Sequence, residues 1–140
     1  MQILYRTSAT AQGGRAGHVR SVDGVLDLDL AMPRELGGDG RAATNPEQLF
    51  AAGYSACFEN ALLHVARAKK LPVHDTKVSA EVGIGPRADG GFALAVSLNI
   101  ELAGVDQASA EALVQAAHQV CPYSHALRGN VDVALSVTAI

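Results

Sequence analysis

The stretch Leu49–Phe58, LFAAGYSACF, constrains this chain more than any other feature of its sequence. It follows a strong set of helix-start signals. Asn45 is a good N-cap, Pro46 suits the first helical position, and Gln48 can close a capping box. The pattern predicts a helix to about Lys70, where Leu71-Pro72 stops it. A surface helix is apolar along one stripe, but the first half of this one is apolar around nearly its whole circumference. Such a helix lies in the middle of something. Ala51, Ala52, Gly53, Ser55 and Ala56 let another backbone come close, while Arg67, Lys69 and Lys70 mark the wetter end.

Strands surround it in the sequence. Residues 2–9 read as a strand, and Arg20–Val22 and Val25–Leu30 flank the Asp23-Gly24 hairpin signal. Leu26, Leu28 and Leu30 alternate with Asp27 and Asp29, so one face of that strand is wet. Pro33 ends it, and Gly37, Gly38 and Gly40 make a loop. Beyond the helix, Val78–Ile84 and Phe92–Ile100 alternate across the Asp89-Gly90-Gly91 turn. A second helix begins near Asp106, with Leu113, Ala117 and Val120 on one face and Pro122 past its end. Val131, Val133, Leu135 and Val137 form a last strand. The order βββ–α–ββ–α–β predicts an α+β protein with mostly antiparallel sheet.

At 140 residues the chain fits one domain, 1–140, and 49% hydrophobic against 18% charged residues supports a packed core. The net charge of −3, with no basic block, disfavours a nucleic-acid partner. Leu49–Phe58 is about half the length needed to cross a bilayer as a helix. The start lacks the n-region and h-region of a signal peptide, so the expected location is cytoplasmic, without a membrane partner.

The chemistry centres on two cysteines, Cys57 and Cys121, which form no CxxC. In a reducing compartment a permanent structural disulfide is hard to keep, and buried free thiols are the plain reading. Cys57 falls inside the central helix, where lost solvation raises a thiol pKa unless a cation compensates. Cys121 ends the second helix, where the dipole disfavours a thiolate. His118, Cys121 and His125 have tolerable metal-ligand spacing, with Cys57 as a fourth candidate. Against zinc, one sulfur would come from an apolar helix and Pro122 breaks the register of the trio. The Gly37–Gly40 loop completes no phosphate-binding pattern, and no GxSxG is present.

Four strings carry a resemblance. TNPEQLFAAGYSACF (Thr44–Phe58), GGRAG (Gly13–Gly17), LDLDLAMPRELGG (Leu26–Gly38) and CPYSHALRGNVDV (Cys121–Val133) occur in order across nearly the whole chain. Together they are similar to the organic hydroperoxide resistance proteins, of the superfamily of the osmotically inducible protein C. Arg41, His125 and Leu127 depart from that pattern. The resemblance implies a metal-free thiol peroxidase in which Cys57 is the peroxidatic and Cys121 the resolving cysteine. It also implies that Arg15 stabilises the thiolate and that Glu47 orients Arg15. The implied fold is an intertwined homodimer with a buried central helix and active sites at the subunit interface. No bound cofactor is implied, and the reductant is a lipoylated protein or dihydrolipoamide. Taken singly, Arg15 reads as a loop charge, Glu47 as a helix N-terminal acid and the cysteines as inert core.

Glu47 and Cys57 are ten residues apart, which is ~15 Å along a helix and about 80° around it. One helix therefore cannot set this carboxylate beside its own thiol, whereas two helices crossing near Ala52-Gly53 can set it beside another's. Two other readings stand beside the peroxidase: a thiol–disulfide redox protein, and a dimeric protein that binds a hydrophobic ligand with structural cysteines.

Overall fold

The computed structural model describes residues 1–140, and the chain divides into two compact units, Met1–Leu49 and Phe50–Ile140. The first unit holds a meander of three short antiparallel strands in the order β1-β2-β3: β1 (Ala9–Gln12), β2 (His18–Ser21) and β3 (Asp27–Asp29). Arg20 pairs with Asp27 across the hairpin, as the Asp23-Gly24 signal requires. The expected first strand is displaced: residues 1–8 carry no regular structure, and pairing begins at Ala9 opposite Ser21. Ile3, Leu4 and Tyr5 supply apolar alternation, but no strand of the same chain pairs with them, and all three are exposed.

Backbone bonds fold the rest of this unit onto β3. Leu30 N donates to Gly17 O at 2.8 Å, and Ala31 N donates to Thr44 O at 2.9 Å. Leu30 thus forms a parallel bridge with Thr44 on its way to the helix. A Cβ at Gly17 would stand 1.8 Å from the Gln12 carbonyl oxygen, so only glycine permits this approach.

α1 (Pro46–Ala68) starts where its caps predict. Asn45 Oδ1 accepts from Gln48 N at 2.8 Å. The return half of the capping box is absent, because Gln48 Oε1 accepts from the Thr44 hydroxyl instead. Lys70 ends the helical run in the left-handed region at φ 55°.

In the second unit β4 (His74–Pro86) and β5 (Phe92–Ala103) form the expected hairpin, with Val82 opposite Val96. β6 (Val133–Ala139) lies on the other side of β5 and runs parallel to it. The connection carries α2 (Gln107–Val120), capped by Asp106 accepting from Ser109 N, and a short α3 (Pro122–Leu127). α3 corrects the sequence reading: Pro122 begins a helix rather than merely following one, a position where its missing N–H costs nothing. The core joins Tyr54, Phe58 and Leu62 of α1 to Leu98, Ile100 and Leu102 of β5 and Leu113 and Val114 of α2. Val120, expected on the apolar face of α2, is 53% exposed, because Ala110, Leu113, Val114 and Ala117 already complete that face. α1 buries Tyr54 and Phe58 while Ala52 and Ala56 stay exposed, so within one chain its apolar circumference is covered on one side only. No helix is long and apolar enough to cross a membrane.

Candidate active site

Two constellations of candidate residues form, one in each unit. In the first, Arg15 rides on a 3-10 turn, Gly14–Ala16, between β1 and β2, and Glu47 stands in the first turn of α1. The guanidinium grips the carboxylate with two parallel bonds, Nη1 to Oε2 at 2.7 Å and Nη2 to Oε1 at 2.6 Å. This fork fixes the plane of the guanidinium as well as its place. Glu47 is 12% exposed and Arg15 30%, so the pair is screened from much but not all of the solvent. The Arg15 hydrogen bonds hold the Glu47 carboxyl below the usual carboxylate range, against a smaller opposing effect of burial. Arg41, where the chain departs from the string pattern, donates from Nη2 to the Leu30 carbonyl at 2.8 Å and so anchors its own loop.

In the second, Cys57 Sγ lies 3.8 Å from Cys121 Sγ, with both thiols free. Cys121 is 0% exposed, and Cys57 is partly open. Burial pushes the Cys57 thiol up, as its place in an apolar helix predicts. The nearby Tyr123 backbone N–H pulls the other way, while Cys121 adds to the upward push. Cys121 is at once the C-cap of α2 and the N-cap of α3. The sequence reading recognised only the first, so the dipole it invoked is met by one of opposite sense.

Phe50, Tyr123, Ala126 and Leu127, drawn from the helices that carry or follow the two cysteines, line a pocket of about 270 Å³. Tyr123 lines this pocket, whereas Phe58, next to Cys57 in sequence, is packed into the core. Ala126 and Leu127 reach the pocket through α3, which the sequence pattern did not reveal, and Phe50 reaches it from α1. Leu127 is one of the departures from the string pattern, and it falls in the pocket wall. The metal candidates do not converge: His118 turns Nδ1 to Ser124 Oγ at 2.9 Å, and no three His, Cys, Asp or Glu side chains are placed to hold an ion.

A paired set of thiols and an apolar pocket, on helices packed over a three-stranded sheet, define a class before they define a protein. A family model described as OsmC-like protein matches residues 37–136, and the chain belongs to that family. Within it, the chain is 51% identical over 137 residues to the organic hydroperoxide resistance protein of Xanthomonas axonopodis pv. citri, covering 97% of this chain and 96% of that one. The crystal structure of an organic hydroperoxide resistance protein from Legionella pneumophila is 58% identical with a TM-score of 0.94, covering 98% of this chain and 99% of that chain. One from Elizabethkingia anophelis is 49% identical with a TM-score of 0.96, covering 100% of both chains. These neighbours carry the same α+β fold.

Proposed function

We propose that the chain is a thiol peroxidase that reduces organic hydroperoxides to alcohols and so serves organic hydroperoxide resistance. The observation that carries this reading is the 3.8 Å approach of a partly open Cys57 sulfur to a fully buried Cys121 sulfur. Similarity to proteins named for organic hydroperoxide resistance supports the choice of substrate. The Cys57 thiolate attacks the terminal peroxide oxygen, the O–O bond breaks, and the departing alkoxide takes a proton to become the alcohol. Cys57 is left as a sulfenic acid. The Cys121 thiol then displaces its oxygen as water and forms the Cys57–Cys121 disulfide. A small lipoyl dithiol, on a lipoylated protein or as dihydrolipoamide, reduces that disulfide and closes its own ring.

An elevated Cys57 thiol needs a cation, and Arg15 is the residue this reading assigns. α1 is unbroken between Glu47 and Cys57, so the ~15 Å rise of ten helical residues holds on this rod. The reading therefore includes a two-fold homodimer in which Arg15 and Glu47 of one subunit complete the site at Cys57 and Cys121 of the other. The exposed Ala52 and Ala56 of α1, and the exposed Ile3, Leu4 and Tyr5, are apolar surface for such a partner.

Stopped-flow thiol oxidation with cumene hydroperoxide beside hydrogen peroxide tests the reading. The organic peroxide should consume two thiols per chain much faster than hydrogen peroxide does. Cys57→Ser should abolish consumption. Cys121→Ser should allow one oxidation, then stall and over-oxidise to the sulfinic acid. The apolar pocket also favours a second reading, a protein that binds a hydrophobic ligand with structural cysteines. No thiol loss with either peroxide would favour that one instead.

A further inference from the structure

Three hydrogen-bonded side chains beside the cysteine pair have no part in the chemistry above. The Tyr54 hydroxyl and Ser124 Oγ are 2.8 Å apart, and Ser124 Oγ is 2.9 Å from His118 Nδ1. Tyr54 and Ser124 are buried, while His118 reaches the surface. Burial, reinforced by Arg128, holds His118 below its ordinary pKa. A neutral His118 can accept at Nδ1 from the Ser124 hydroxyl, which in turn accepts from the Tyr54 O–H.

The spacing of these residues is their common feature. Tyr54 is one turn before Cys57 on α1, His118 is one turn before Cys121 at the end of α2, and Ser124 is one turn after Cys121 on α3. Tyr54 and Cys57 share a face of α1, while Cys121 is the extended corner residue midway between His118 and Ser124. A single hydroxyl, Ser124 Oγ, therefore ties α1 to the corner between α2 and α3 at points one turn from each sulfur. The same corner presses on α1 through Tyr123: a Cβ at Gly53 would stand 3.0 Å from the Tyr123 hydroxyl. If this volume only needed filling, phenylalanine and alanine would do so without desolvating three polar groups.

We propose that Tyr54, Ser124 and His118 are positioning residues for disulfide formation, holding Cys121 Sγ at striking distance of Cys57 Sγ. The step they serve rests on the peroxidase reading. Cys121 sulfur attacks Cys57 sulfur, the S–O bond of the sulfenic acid breaks as the S–S bond forms, and the oxygen leaves as water with the sulfenic and thiol protons. From 3.8 Å the sulfurs need close by only about 1.8 Å to reach bonding distance. Holding them there raises their effective concentration toward each other, the term by which orientation accelerates an intramolecular step.

Tyr54→Phe removes the hydroxyl and keeps the ring. After one pulse of cumene hydroperoxide, the variant should form sulfenic acid at the wild-type rate but convert it to disulfide about tenfold more slowly, with more sulfinic acid in the products. Titrated against dithiothreitol, its Cys57–Cys121 disulfide equilibrium should shift about tenfold toward the thiols. Ser124→Ala should reproduce both effects, and the double variant should be no worse than Ser124→Ala, because one chain of bonds is broken only once. Should Tyr54→Phe fail to fold, Ser124→Ala and the half-exposed His118→Ala carry the same measurements. Wild-type disulfide equilibria and resolution rates in these variants, or equal slowing of both steps, would overturn the proposal. If the wild-type protein ignores peroxide, the peroxidase reading fails, and the dithiothreitol titration still decides whether the clamp exists.

Discussion

The two units hold their candidate residues by different physics. In Met1–Leu49 the buried residues are Leu30 and Ala31, every residue of β1 is exposed, and Arg15 meets Glu47 through a glycine-bounded turn and two charge-assisted bonds. In Phe50–Ile140 a continuous apolar cluster surrounds Cys121 and abuts Cys57. Direction is what a guanidinium requires, and hydrogen bonds supply direction even where water reaches. Distance and dryness are what a thiol pair requires, and those come from packing. The hydrogen-bonded unit should therefore be the more sensitive to pH and the packed unit to side-chain volume.

The largest effect that would break this contrast is on the packed side. Leu62→Ala, at a fully buried position, should destabilise the chain by roughly 2–5 kcal/mol. Leu28→Ala, on the half-covered strand β3, should cost about 1 kcal/mol. Chemical denaturation that ranks the two equally would remove the distinction. Next comes the ion pair. If Arg15 is the thiolate's cation as proposed, Arg15→Ala should slow cumene hydroperoxide reduction by about a hundredfold and move the alkaline rise in rate to higher pH. A pH–rate profile displaced downward without moving along the pH axis would count against a role for Arg15 at the thiol. The smallest effect concerns stability against acid. The folded-state pKa of Glu47 is depressed chiefly by its bonds to Arg15. Its contribution is thus complete above the unfolded value of about 4.3 and is lost as pH falls through the lower folded value. For a pair this exposed it should be about 1 kcal/mol or less, and Glu47→Gln should flatten that part of the acid unfolding curve.

Local chemistry was the legible part of this chain. Asn45-Pro46 announced α1, the Asp89-Gly90-Gly91 turn announced the β4–β5 hairpin, and alternation marked β6. What stayed hidden depends on partners or direction. Period-2 alternation does not tell parallel from antiparallel, so nothing in Val133–Ala139 revealed that β6 runs with β5. Alternation in residues 2–9 also promised a strand, but a strand needs a neighbour, and pairing begins only at Ala9. Pro122 carried two meanings, a stop for α2 and a first residue for α3, and only the first was read. The contact between Cys57 and Cys121 could not come from spacing; it follows from α3 turning back against α1. The Tyr54–Ser124–His118 chain left no mark in any pattern, because each member looks ordinary in its own helix.

The complete inaccessibility of Cys121 has a consequence for order in time. On the proposed reading, a sulfur that nothing from solution can touch does not begin the reaction; it answers one begun at Cys57. The proposed cycle is thus a one-way circuit, with a single entrance and a second contact behind it. Counting sulfurs makes this visible: native reduced protein should yield one rapidly titrating thiol per chain to a bulky disulfide reagent, and denatured protein two.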